Sequence, residues 1–349
     1  MRVLVVMAFM LSVFHSTLLG QQVPTEPRVR ALGFGDVLFV TSGEEGPEGF
    51  ELGQIVGHVI ATLDERITFF GEASLTGRDS GYGIELERAI VRYDFTDGLK
   101  ISAGRFHTPV GYWNTAYHHG AWLQTSVARP EMIKFGGRFV PAHFVGMLAE
   151  GNLPLPGLGL GYTLGVGNGR NANIARGGDD GDVNHRRAWT AAFRSRPVSL
   201  VGFEIGASAY IDRITTTTGD DADETILGVH FAWDRDAPEL LVEYNRIAHD
   251  PLAGGPSTDS NAFYAQLAYR LGGNAAAFKP YVRIERVDTA ADDPIFGPLD
   301  LGYEGILGGI RYDAGTFVAL RMEVRSEERD MQERATSFVL QASFVLSGS

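Results

Sequence analysis

Along most of the chain apolar and polar side chains alternate one by one. Leu158, Leu160, Tyr162, Leu164 and Val166 are separated by Gly159, Gly161, Thr163 and Gly165. Val201, Phe203, Ile205, Ala207, Ala209 and Ile211 are separated by Gly202, Glu204, Gly206, Ser208 and Tyr210. The same rhythm returns at Leu227 to Trp233 and at Phe338 to Leu346. A period of two is the signature of a strand with one apolar and one polar face, and helical periodicity is nearly absent. The segments run about ten residues, the length a tilted strand needs to cross a bilayer, whereas soluble sandwiches tend to use shorter strands.

Threading the alternation gives strands at 31–41, 51–62, 66–77, 82–95, 99–106, 141–151, 157–167, 186–196, 199–213, 224–234, 239–248, 260–271, 278–288, 301–313, 316–327 and 335–346. The links alternate in length. Asp64-Glu65, Thr96-Asp97-Gly98, Arg196-Pro197-Val198, Asp236-Ala237-Pro238 and Asp313-Ala314-Gly315 are tight. The links near 42–50, 107–140, 168–185, 213–223, 249–260, 289–300 and 328–334 are longer and polar, with a short exception at Gly77 to Gly81. Short turns on one side and long loops on the other are the asymmetry of an outer-membrane barrel. The expected fold is all-β: a transmembrane antiparallel up-and-down β-barrel of about sixteen strands, with a long third loop and an aqueous interior.

Register follows from the same alternation, because a slip of one residue inverts every face. Leu160, Phe203, Phe231, Leu267 and Phe344 should face lipid, and Glu204, Gln266 and Arg321 the lumen. Tyr93, Phe95, Trp233, Tyr269 and Tyr312 collect at strand ends on the turn side, where an interfacial girdle belongs. Ordinary aromatic enrichment in strands is the alternative account of them.

Composition narrows the picture. The one long apolar run, Val3 to Phe14, follows Met1-Arg2 and precedes Gly20-Gln21, as in a secretory signal. Residues 1–20 are therefore expected to be a signal peptide and 21–349 the barrel. The chain has no cysteine, so neither disulfides nor thiol chemistry enter. A formal charge of -13 in 349 residues argues against a nucleic-acid partner.

One stretch carries a resemblance. Gly104-Arg105-Phe106-His107-Thr108-Pro109-Val110-Gly111 closes a strand and opens the longest loop, followed by Arg129-Pro130-Glu131 and by Val140-Pro141-Ala142-His143-Phe144-Val145-Gly146-Met147. This resembles the phosphate-selective porin O and P type of bacterial outer-membrane porin, whose members have a Gly-x-Phe-x-x-Pro-(Phe)-Gly turn at that place. The resemblance implies sixteen strands, frequent trimers, and cationic side chains that draw anions through the lumen. The chain departs from the barrel pattern at its end, where Phe344-Val345-Leu346 is followed by Ser347-Gly348-Ser349 instead of closing on an aromatic residue.

The third long loop concentrates the candidate chemistry: Tyr112, Trp113, Tyr117, His118, His119 and Trp122, then Arg129, Glu131, Lys134 and Arg138. A loop of this length is usually functional or disordered, and its aromatic content argues for order. Two placements are open, a constriction folded into the lumen or a flap on the outer rim. Candidate wall residues are Glu72, Glu85, Arg88, Arg92, Glu204, Glu243, Arg270, Arg283, Glu285, Arg311, Arg321 and Glu323, carboxylates and guanidiniums interspersed. Arg194 belongs to the same face.

Neither a metal nor a cofactor is expected. His118 and His119 point apart on an extended backbone and do not chelate together easily. No Gly-x-Ser-x-Gly elbow appears and the carboxylates are scattered, so no enzyme is expected. The outer loops carry Glu44-Glu45, Asp179-Asp180, Asp220-Asp221 with Asp223 and Glu224, Asp292-Asp293 and Glu327-Glu328. These read as a solvated acidic mouth, or as carboxylates that bridge through divalent cations to lipopolysaccharide.

The leading functional expectation is a porin in the cell outer membrane for passive diffusion of small hydrophilic solutes or ions. Its partners are membrane lipid and lipopolysaccharide, with a homotrimer implied. The rivals are an outer-membrane hydrolase and a structural or adhesive barrel with a blocked lumen. An acidic mouth predicts weak cation preference at low salt and no tight phosphate site.

Overall fold

In the computed structural model the chain is described over residues 28–348, except for 43–47, 79–80, 118–119, 135, 137, 172, 176–177, 180 and 216–220. The expected signal segment lies outside the described residues, as do His118 and His119.

Sixteen antiparallel strands close into one barrel, each paired with its sequence neighbours and the first with the last. They are β1 (Arg28–Ser42), β2 (Gly49–Asp64), β3 (Ile67–Arg78), β4 (Gly81–Thr96), β5 (Leu99–His107), β6 (His143–Asn152), β7 (Leu160–Asn168) and β8 (Arg187–Ser195). They continue as β9 (Phe203–Ile214), β10 (Ala222–Asp234), β11 (Glu239–Pro251), β12 (Thr258–Ala268), β13 (Phe278–Asp288), β14 (Tyr303–Asp313), β15 (Val318–Arg329) and β16 (Ala335–Gly348). The β1–β16 ladder runs from Ala31 opposite Gly348 to Ser42 opposite Ser337. Closure removes the sheet edges and pairs the strand backbone, which is what strands require to survive in hydrocarbon.

The faces follow the alternation. On β10, Glu224, Ile226, His230 and Ala232 are buried inside, whereas Leu227 is 46% and Val229 53% exposed on the outside. Glu204, Gln266 and Arg321 are buried in the interior. Phe203, Phe231 and Phe344 alternate with inward residues, and Leu267 is exposed outward. Tyr93, Phe95, Tyr269 and Tyr312 are exposed at the turn end, where Tyr93 and Phe95 lie 4.5 Å apart and Phe278 and Tyr312 4.8 Å.

Two boundaries and one register depart from expectation in ways that move named residues. Residues 196–202 form turns ahead of β9, so that strand begins at Phe203 rather than 199. β12 ends at Ala268, so Arg270 sits on the turn-side rim, not in the wall. There it meets Asp236 at 3.3 Å and Asp313 at 2.7 Å. In β4 the ladder slips between Glu72 and Ala73, which face Arg88 and Leu86. The extra residue, Glu87, is a bulge, and it resolves a parity problem. Glu85 and Arg88 are an odd number of residues apart, so strict alternation would put them on opposite faces. The bulge brings both inward.

Candidate functional site

The third long loop, L3, joins β5 to β6 and lies inside the barrel. Its stem is closed by the Thr108 N–H donating to the Ala142 carbonyl at 3.0 Å, and by Asn114 Nδ2 donating to the Thr108 carbonyl at 2.8 Å. Gly111, at φ +74°, turns the chain towards the wall, where a Cβ would lie 2.1 Å from Glu243 Oε2. A one-turn helix, Trp113–Ala116, and 3-10 turns at Ala121–Leu123 and Glu131–Ile133 follow.

The wall from β11 to β15 holds this loop by its backbone. The Glu243 carboxylate accepts the N–H groups of Tyr112 and Trp113 at 2.8 and 2.7 Å. Glu323 accepts those of Val127 and Ala128 at 3.0 and 3.3 Å, and Glu285 accepts that of Glu131 at 2.7 Å. The guanidiniums do the complementary task. Arg311 donates to the carbonyls of Trp122 and Gln124, each at 2.7 Å. Arg321 donates to those of Thr125 and Ala121 at 3.0 and 2.7 Å, and Arg283 to that of Ala128 at 2.7 Å. Each anchoring carboxylate also accepts a tyrosine hydroxyl: Glu243 from Tyr264 at 2.5 Å, Glu323 from Tyr281 at 2.7 Å, and Glu285 from Tyr303 at 3.5 Å. Tyr281 reaches Glu323 across the intervening β14. A Cβ on Gly309 would stand 2.5 Å from the Tyr281 hydroxyl, so only glycine leaves that path open.

Side chains of L3 fill the space between. Trp113 is fully buried, edge-on to Tyr264 at 5.9 Å and beneath Arg283 at 5.6 Å. Tyr112 donates to Asp234 at 3.0 Å, and Tyr117 packs on Trp113 at 5.2 Å. Arg311 lies over the Trp122 ring at 5.7 Å. Burial pulls the Arg129 guanidinium down to about 9 against the opposing field of Glu87. Glu131 pairs with Arg329 at 2.7 Å and Lys134 at 3.3 Å. Burial alone would raise its carboxyl, but these cations hold it below its ordinary value. Arg138 is exposed.

The loop's return arm is pinned from above. Arg170 donates to the Phe139 carbonyl at 2.8 Å and to Glu224 at 2.9 Å. His249 bridges Glu224 at 3.1 Å and Asp293 at 2.7 Å, and Phe296 stacks on Phe139 at 5.3 Å. Burial would raise the Asp293 carboxyl, but His249 and the Phe296 N–H hold it below its ordinary value. Several acidic residues expected to form a solvated mouth are therefore engaged. Glu224 and Asp293 are buried, Asp179 meets Arg105 at 2.8 Å and Asp223 meets Arg213 at 2.6 Å. Glu44, Glu45, Asp180 and Asp220 lie outside the described residues.

The opposite wall is different. Between β4 and β10 a cavity of about 290 Å³ remains beside L3, lined by Arg88, Glu150, Thr163, Arg194, Glu204 and His230 among others. Here the expected wall residues pair with one another. Arg88 binds Glu72, which also meets His58 at 2.7 Å. Arg92 meets Asp94 at 2.7 Å and Glu150 at 3.8 Å. Arg196 binds Glu204, which His230 contacts at 3.2 Å. Glu85 faces inward opposite Ser74. Arg194 lies over Gly161, and Lys100 shares the inward face with Ser102. Among the described residues these two cations make no hydrogen bond or ion pair.

Sequence reasoning missed Glu87, hidden by the bulge, and the tyrosines 264, 281 and 303. Their signal was available: each lies on the polar face of its strand, and two have inward glycines in reach, Gly305 and Gly309.

The described chain has no group of three or more His, Asp or Glu side chains placed to hold a metal ion. No protein-family model and no curated protein matches the chain. Solved structures do. An anion-selective porin from Comamonas acidovorans superposes with a TM-score of 0.66 at 13% identity, covering 92% of this chain and 100% of that one. The fold is the sixteen-stranded porin barrel. The outer membrane channel DcaP of Acinetobacter baumannii gives 0.62 at 9% identity, over 92% and 97% of the two chains. OmpT, an outer membrane protein of Vibrio cholerae, in its trimer form, gives 0.59 at 14%, over 92% and 99%. An apolar outer face on a closed sheet is the form in which strands cross an outer membrane.

Proposed function

We propose that the protein is an outer-membrane porin through which small hydrophilic solutes and ions diffuse passively, with residues 1–20 as its export signal. One observation carries this. Carboxylates and guanidiniums of the β11–β15 wall hold the backbone of L3, and an open, charge-lined space remains beside it along β4–β10. On this reading L3 is the constriction and the residues around the cavity line the path. The test is a planar-bilayer recording of the purified protein. Stepwise ohmic conductance is expected. Its absence favours a blocked barrel, and ester hydrolysis without conductance favours a hydrolase.

Within porins, the wall supports a weakly selective pore better than the phosphate-selective one that the resemblance suggests. Arg283, Arg311 and Arg321 are the cations such a filter would use, and they are committed to L3 carbonyls. A homotrimer is part of the proposal, supported by the trimer form of Vibrio cholerae OmpT. Block of chloride current by micromolar phosphate would restore the phosphate-selective version.

A further inference from the structure

β7 presents almost no side chain to the lumen. Its inward residues are Gly161, Thr163, Gly165 and Gly167. Glycine inside a strand weakens it, and it marks places where another group comes close to the backbone. Here neighbouring strands supply that group each time. From β8, Arg194 crosses Gly161. A Cβ there would stand 3.0 Å from Cζ and 3.2 Å from both Nε and Nη2, so the guanidinium lies face-on against the strand. From β6, Leu148 lies over Gly165 and Phe144 over Gly167, where a Cβ would stand 2.5 Å from Leu148 Cδ2 and 2.8 Å from Phe144 Cζ. The strand is thus covered by a cation at one end and by apolar groups at the other. Gly161 and Gly165 are about 13 Å apart along the strand, with Thr163 between them. Arg194, Thr163 and Leu148 all line the cavity of about 290 Å³ beside L3, and Ile90, Phe106 and Ala192 extend its apolar part.

The other charged groups of the cavity are matched. Glu204 has Arg196 and His230, Arg88 has Glu72, and Glu150 faces Arg92 at 3.8 Å. Arg194 is the cation left over. Among the described residues none of its five N–H donors is taken, and its seat on Gly161 fixes the plane of the group. A fixed guanidinium fork matches a carboxylate bidentately. An apolar wall beside it adds nothing to the binding of a bare ion, because apolar surface is stabilised only when other apolar surface covers it. Ligand cavities join such a wall to a few convergent polar groups, in volumes from about 300 Å³ upward. We propose that this cavity binds small monocarboxylates with an apolar body, the carboxylate on Arg194 and the body towards Leu148 and Phe106. The cavity lies on the path assigned to diffusing solutes, so the proposal rests on the pore reading and names a solute class for it.

The test is block of single-channel current in planar bilayers by acetate, hexanoate, hexylammonium and inorganic phosphate, in wild type and R194Q. Each methylene that hexanoate adds to acetate tightens binding by up to about fourfold when buried. Half-block of the wild type by hexanoate should therefore come at a concentration at least about tenfold below that for acetate. R194Q should raise the hexanoate value at least about fivefold, whereas hexylammonium should block R194Q no less than wild type. If R194Q folds poorly, R194K, which keeps the charge and loses the planar fork, should move hexanoate block in the same direction. Equal block by hexanoate and acetate overturns the proposal. So does hexanoate block unchanged in R194Q, or phosphate blocking as well as hexanoate. Saturation-transfer NMR on the full-length protein in uncharged detergent separates the two levels, because it reads contact without current. A wild type that never conducts, yet transfers more saturation to hexanoate than R194Q does, sinks the pore reading and supports the site. A wild type that conducts, with equal transfer in both proteins, sinks the site alone.

Discussion

The two halves of the barrel wall use the same residue types for different ends. From β11 to β15, inward glutamates and arginines bind the backbone of L3, taking its N–H groups and giving to its carbonyls. From β4 to β10 the same kinds of side chain pair with each other around open space. A charge lining a barrel is therefore no guide to what a solute meets. What decides is whether the loop has already claimed it. In the first half, loop amides satisfy buried carboxylates. In the second, the side chains border open space, and among the described residues Lys100 and Arg194 have no partner.

The largest effect expected from breaking this contrast is geometric. Deleting about 112–128 empties the β11–β15 half and should raise single-channel conductance at least about twofold in a folded variant, because pore width sets passive flow. Unchanged conductance would place the path elsewhere.

Next comes the asymmetry of the carboxylates. Glu243→Gln turns one acceptor oxygen into a donor, so an L3 amide loses its acceptor, that of Tyr112 or, together with the Tyr264 hydroxyl, that of Trp113, in a site 1% exposed. It should cost about 1.5–3 kcal/mol in thermal unfolding and add open-channel noise as L3 loosens. Glu204→Gln can keep an acceptor for His230 at 3.2 Å and loses its charge mainly on Arg196, whose side chain is 59% exposed, so it should cost no more than about 1 kcal/mol and leave the noise unchanged. Equal costs would erase the distinction between the halves.

Much of this architecture was legible in the order of residues. β13 occupies 278–288 as alternation requires, and the long and short links fall where turn residues mark them. Alternation works because lipid outside and polar matter inside impose a period of two on every strand. It fails where a strand breaks step, which is why Glu87 escaped notice, and where an apparent strand end is a turn, as at Arg270. The sequence identified L3 as the informative segment but left its placement open, because nothing local encodes which wall a loop will meet. That is decided by Glu243, Glu285 and Glu323, far along the chain from the amides they hold.

A smaller effect is expected at low pH. Asp293 and Glu131 are held below their ordinary values by His249 and Arg329. Groups so depressed stabilise the folded state fully above the usual carboxylate range, and lose that contribution as pH falls through their lowered values, below about 4. Both anchor L3, directly or through Phe296. Between pH 7 and 5 the channel should be unchanged, and below about pH 4 its noise should rise. Noise rising already near pH 6 would point to histidines instead.

The smallest effect concerns selectivity, where mouth and interior oppose each other. The protein carries a formal charge of -13, and even with many loop carboxylates paired, its field favours cations at the entrance. That field reaches about 10 Å at 0.1 M salt and about 3 Å at 1 M. Arg194 and Lys100 act at closer range, on ions already beside them in the lumen, so screening weakens them less. Cation preference should therefore be weak at 0.1 M and vanish or reverse near 1 M. Removing both cations in K100Q/R194Q takes away the opposing contribution. At 1 M the variant should then show no anion preference and stand on the cation side of the wild type, a change of a few millivolts in reversal potential across a salt gradient. Neither residue holds L3, so conductance should stay close to wild type. If variant and wild type reverse at the same potential at 1 M, ions do not pass along the β4–β10 wall, and the division of the barrel into a loop-bearing and a conducting half is wrong.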